Sequence, residues 1–123
     1  MNSPMQATSW NQPLLLSLLA AAVLEEIVFR TGIQETLLRV SADLPLLLRR
    51  KGFCSAPNLA TALVFALAHG LARSWWLGLA VIPPALSLGW LYERRRSLWR
   101  CIALHAAMNC AWFLAASRYS TLS

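Results

Sequence analysis

Leu14-Leu15-Leu16-Ser17-Leu18-Leu19-Ala20-Ala21-Ala22-Val23-Leu24-Glu25-Glu26-Ile27-Val28-Phe29-Arg30 opens as a membrane-spanning apolar run, then takes up two carboxylates and a guanidinium. A carboxylate near the centre of a bilayer costs about 3 kcal/mol on insertion scales and more by simulation. Charges at that depth face a protein interior, find partners, and usually serve a purpose. Two later apolar segments carry polar stations of the same kind, His69 in one and His105 with Asn109 in the other. Three such stations on three segments predict one site inside an all-α membrane bundle.

Composition agrees. The chain has 123 residues, 58% of them hydrophobic and 13% charged, too apolar for an ordinary soluble domain of this size. No basic residue precedes the first apolar run, and the run ends in charges rather than at a small-residue cleavage site. It therefore reads as a retained helix and not as a secretory signal. The net charge of +6 comes largely from arginine, clustered as Arg49-Arg50-Lys51 and Arg94-Arg95-Arg96 at the ends of apolar segments. That placement fits lipid headgroups and topology, and no nucleic-acid motif or basic helical face is present. Cys54, Cys101 and Cys110 are odd in number and lack metal-site spacing, so they read as small hydrophobes.

Residues 1–12 are polar, 13–116 form the core, and 117–123 a short tail. A first helix is expected from Pro13 to about Thr31, loosened at Gly32. Ile33 to Leu48 reads as an amphipathic stretch at the interface, interrupted by Pro45. A second helix is expected over Asn58–Ala72, and a third over Leu77–Tyr92, broken or kinked at Pro83-Pro84. A fourth runs from about Leu98 to Ala116. The two most basic loops follow the first and third of these four spans, which puts both termini outside the cell membrane. At about 1.5 Å per residue, Glu25 and His69 lie roughly 18 Å from opposite faces and His105 roughly 10 Å from the inner face. Within a hydrocarbon core of about 30 Å the three share one level.

Glu26 and Arg30 are four residues apart, the spacing that pairs a carboxylate with a guanidinium on one helix face. Glu25 points about 100° away and is left for chemistry. A carboxylate held in an apolar setting is a better base than one in water. His105 and Asn109 project from one face, with Cys101 a turn earlier, and offer two donors toward one point. Together the groups suit peptide hydrolysis by a carboxylate-activated water, with the tetrahedral oxyanion held by donors.

Glu25-Glu26-Ile27-Val28-Phe29-Arg30 resembles the E-E-x-x-x-R motif of the CPBP family of intramembrane endopeptidases, related to the type II CAAX prenyl proteases. Phe65-Ala66-Leu67-Ala68-His69 is similar to the family's F-x-x-x-H, and His105-Ala106-Ala107-Met108-Asn109 to its third motif. The resemblance spans about residues 13–116. It implies a bundle with a polar intramembrane cavity, Glu25 and His69 on the attacking water, and His105 and Asn109 around the oxyanion. Glu26, Arg30 and Phe65 take supporting places, and no metal is required. Many relatives have about eight helices, whereas this chain holds a four-helix core.

The same residues allow two other readings. Glu25, His69 and His105 offer three zinc ligands with an open fourth position, although no H-E-x-x-H helix is present. A non-catalytic membrane scaffold or immunity protein would use the polar groups only to hold helices together; some relatives are associated with bacteriocin self-immunity. The partners implied are the bilayer, a membrane-embedded or lipid-anchored protein substrate, and a second copy of the chain. Bacterial relatives that trim C-terminal sorting tails point to the bacterial inner membrane.

Overall fold

The computed structural model describes residues 11–43 and 55–122, with side chains described over 14–43 and 55–119. All regular structure among them is helical: α1 (Asn11–Glu26), a π-helical segment (Ile27–Gln34), α2 (Glu35–Ser41), α3 (Ala56–Ala72), α4 (Trp75–Ala80), α5 (Ile82–Arg95) and α6 (Leu98–Leu122).

The first three elements form one rod, because Glu26, Gln34 and Glu35 keep right-handed helical dihedrals at each junction. Gly32 thus lies within a widened part of the helix without ending it, and the stretch from Ile33 continues the rod as far as Ser41. What changes is the turn. The Glu35 amide reaches back five residues to the Arg30 carbonyl as well as to Gly32. The hydroxyls of Thr31 and Thr36 donate to the carbonyls of Ile27 and Gly32, giving those oxygens a side-chain partner in the widened segment. Pro45, the Arg49–Lys51 cluster and Cys54 lie outside the described residues.

Chain chemistry sets the other helix ends. Ser55 caps α3 by accepting from the Asn58 amide at 3.2 Å, with Pro57 in the first turn, so the helix starts two residues before the sequence reading placed it. Ser74 caps α4 by accepting from the Leu77 amide. The expected interruption at Pro83-Pro84 falls at Val81. The prolines then occupy the first turn of α5, where a missing N–H costs little. Arg96 ends α5 in the left-handed conformation, φ 50°, its amide donating to the Tyr92 carbonyl. α6 continues to Leu122, past the expected end at Ala116.

Packing follows small residues. The backbone at Gly78 approaches so closely that an added Cβ would stand 2.8 Å from the Ala66 carbonyl oxygen and 3.0 Å from the Gly70 Cα. Gly70 in turn makes room for the Trp75 ring. α3 packs on α4 and α5, α1 packs on α6, and α5 packs on α6. Buried Ala62, Phe65 and Ala85 form one core cluster, and Leu88, Tyr92 and Cys101 a second. Large apolar side chains such as Leu63, Leu67, Leu71 and Trp112 face outward. Trp75–Arg95 and Leu98–Tyr119 are long and apolar enough to cross a membrane, and Ala56–Ala72 is apolar but shorter.

At one end the Arg96 guanidinium donates to Glu35 Oε2 at 2.6 Å, and the Tyr92 hydroxyl donates to the same oxygen at 3.0 Å. The C-terminal ends of the first rod and of α5 thus lie on one side. Burial pushes the Glu35 carboxyl up, but Tyr92, Arg96 and Arg39 outweigh it and hold the group below its ordinary range.

Candidate active site

Glu26, Arg30 and Gln34 follow one another at four-residue steps, and all three are fully buried. In an α-helix such a step drifts by about 40° around the axis. The wider π turn counters that drift, so the three side chains form a column facing α5 and α6. Arg30 is its hub. Nε donates to Glu26 Oε2 at 2.9 Å, Nη1 to Gln34 Oε1 at 2.7 Å, and Nη2 to the Ala85 carbonyl at 3.2 Å. The pairing of Glu26 with Arg30 expected from their spacing is present.

The second oxygen of Glu26 is also occupied. Oε1 stands 2.7 Å from His105 Nδ1, across from α1 on α6. A carboxylate only accepts, so Nδ1 carries the hydrogen, and Nε2 is the nitrogen left to exchange a proton. That Nε2 lies 3.4 Å from Glu25 Oε2. One imidazole therefore bridges the two adjacent glutamates, an arrangement their different directions on the helix did not suggest. Glu25 keeps the more open position, its side chain 30% exposed against 0% for Glu26.

The remaining expected groups are placed differently. His69 sits on α3 with Nδ1 2.9 Å from the Phe65 carbonyl, so its Nε2 is an acceptor in the neutral ring. The Phe65 ring stands 4.2 Å from the His69 ring and 6.1 Å from that of His105, and meets Phe29 edge-on at 4.8 Å. It forms an apolar wall shared by both histidines. Asn109 Nδ2 donates to the Leu18 carbonyl at 3.4 Å, tying α6 to α1. A primary amide has two N–H donors, so this bond leaves one for another acceptor. Among the described residues no three His, Cys, Asp or Glu side chains gather as a metal site requires.

Several polar residues at this site were not read from the sequence. Gln34 Nε2 donates to the Gly89 carbonyl and to Glu93 Oε1, each at 3.0 Å. The Ser55 hydroxyl donates to that Glu93 oxygen at 2.6 Å, and Asn58 Nδ2 donates to the Leu86 carbonyl. Gly89 lets this cluster form. A Cβ there would stand 1.7 Å from Asn58 Oδ1 and 2.9 Å from Arg30 Nη1. Gln34 had one available signal, since it continues the four-residue series from Glu26 and Arg30. Ser55 had another in its position ahead of Pro57.

A family model for type II CAAX prenyl endopeptidase Rce1-like proteins matches residues 8–111, a span that takes in all of these groups. The chain belongs to this family. Neither the curated proteins nor the solved structures yield a match. The Rce1-like family is one of proteases, and the apolar rods are those of a membrane helical bundle.

Proposed function

We propose that the chain is an intramembrane endopeptidase that hydrolyses a peptide bond near the C-terminal end of a membrane-associated substrate, such as a sorting tail. The observation that carries this reading is Glu25 Oε2 lying 3.4 Å from His105 Nε2 while Glu26 holds the other ring nitrogen. In this scheme Glu25 takes a proton from a water whose oxygen attacks the scissile carbonyl carbon. His69 Nε2 accepts the water's second hydrogen and so aims its lone pair. The tetrahedral oxyanion is held by the spare N–H of Asn109 and, when the His105 ring carries a hydrogen on both nitrogens, by its Nε2–H. Collapse breaks the C–N bond, and Glu25 returns its proton to the leaving amine. The intermediate's hydroxyl proton also passes to the amine, so the balance is one water consumed, with a carboxylate and an ammonium formed.

The family match, the paired glutamates and the apolar wall of Phe65 support this scheme. Zinc is not required by it, since water activation falls to Glu25; metal content and activity after chelation test that point. The cell membrane, with both termini outside, is the proposed location.

The deciding experiment compares C-terminal peptides of membrane proteins, by mass spectrometry, in cells making wild type or Glu25→Gln at matched levels. New C-termini are expected with wild type alone, and their sequences name the substrates. Indistinguishable C-termini from two well-folded proteins would sink the protease reading.

A further inference from the structure

The buried column does not stop at Arg30. From His105 the contacts run to Glu26, then Arg30, Gln34 and Glu93, and end at Ser55, the cap of α3. Each link fixes the next by donor and acceptor type. Arg30 can only donate, so Gln34 must present Oε1 to it; the Gly89 carbonyl and Glu93 carboxylate only accept, so Gln34 must present its NH₂ to them. The amide is thereby locked in one orientation. It also caps the guanidinium, leaving Nε for Glu26 alone.

We infer that Gln34, anchored by Glu93, is a positioning residue that sets the aim of His105 through Arg30 and Glu26. The inference rests on reading Glu25 and His105 as the reacting pair. Its physical content is competition for one cation. Arg30 is the guanidinium that Glu26 and Gln34 share, and a neutral amide at Gln34 leaves the charge-assisted bond to Glu26 undivided. A carboxylate in its place would draw the guanidinium away and face Glu93 as a like charge. Glu26 would then hold the His105 Nδ1–H differently, and Nε2 would turn relative to Glu25. Besides Glu25 and Glu26 on the first rod, His105 is faced by the Phe65 ring on α3.

The test uses Gln34→Glu, Glu93→Gln and the two combined. The combined exchange removes only the like-charge contact, because the new amide can donate to the new carboxylate and still accept from Ser55, while that carboxylate stays beside Arg30. The chain holds two histidines, so imidazole ¹⁵N spectra of the detergent-solubilised protein give two sets of signals, assigned by removing each histidine in turn. Gln34→Glu is expected to move the His105 signals and leave those of His69, with kcat falling by about ten- to a hundredfold at similar KM. The combined variant should recover stability, but neither the spectrum nor the rate, because the carboxylate at position 34 still divides Arg30 from Glu26. Unmoved His105 signals in Gln34→Glu, or a combined variant with the wild-type spectrum and rate, would overturn the coupling. Reduced thermal stability with wild-type spectrum and kcat in the folded fraction would also overturn it, assigning Gln34 to folding alone. Should Gln34→Glu not accumulate, the combined variant, relieved of the like charge, carries the same test, and silence at His105 there overturns the proposal. The spectral readout does not depend on cleavage, so it decides the coupling even where the protease reading fails.

Discussion

His105 Nδ1 and Glu26 Oε1 are 2.7 Å apart, which makes the second glutamate of the pair the group that orients the imidazole. Glu26→Gln replaces an obligate acceptor with an amide that can offer either atom, so the ring can settle in the wrong tautomer. Turnover should fall by at least about 10²-fold, by analogy with the loss when a catalytic histidine loses its orienting carboxylate. Steady-state kinetics on a substrate found in cells would check it, with kcat and not KM bearing the loss.

Arg30 is buried with three different acceptors, and removing it leaves the buried Glu26 carboxylate with His105 but without its guanidinium. Arg30→Ala should cost about 3–5 kcal/mol, the usual penalty for breaking a buried pair. Arg30→Lys should recover little, because an ammonium cannot reproduce the planar fork. Thermal unfolding in detergent would show both, and full stability in the alanine variant would refute the hub.

Gly89 sits where a methyl group would collide with Asn58 and Arg30. Gly89→Ala should therefore lower yield and thermal midpoint more than Gly32→Ala, whose added Cβ meets only the Ile27 carbonyl oxygen, at 3.9 Å. Equal midpoints for the two would mean that α5 can retreat from the column.

Asn109→Ala separates the structural bond to Leu18 from the proposed oxyanion contact. Loss of an oxyanion donor lowers turnover by about 10²–10³-fold. The bond to Leu18, at 3.4 Å, is long, so stability should change little. A large fall in melting temperature with unchanged kcat would leave Asn109 as a tie between helices.

The Glu35 clamp carries an acid dependence. The folded carboxyl titrates below its ordinary range, so its stabilisation is present above that range and disappears as pH falls through the lower folded value. Glu35→Gln should remove this acid-sensitive part of stability and leave the melting temperature less dependent on pH. Melts across acidic pH at low salt would show it, since the partners are partly solvent-screened.

Sequence reading reached the parts governed by short-range rules. The four-residue spacing gave Glu26 with Arg30, and the apolar runs gave the rods and the faces that carry His69, His105 and Asn109. It missed what depends on tertiary placement. Gln34 fell in a stretch read as interfacial and Glu93 just past the expected end of its helix, because nothing local says that Gly89 opens a space between them. The contact of His105 with both glutamates was likewise invisible, since adjacent helical residues diverge and only an opposing ring can bridge them. Gly32, an intrinsically weak helix former, falls inside the widened turn, and the rod around it keeps the chain helical.

The π-helical turn between Glu26 and Gln34 gives the chain a sensitivity that no side-chain exchange reveals. A wide turn holds one more residue than the α-helix it interrupts, so deleting a single residue between Ile27 and Ile33 would let the backbone relax into ordinary helix. The ends would nearly keep their faces, because seven steps of an α-helix return within about 20° of the start whereas eight overshoot by about 80°. The alignment of glutamates with the distal glutamine is thus written in residue count as well as residue identity, and an eight-residue spacing reaches it only where the turn is wide.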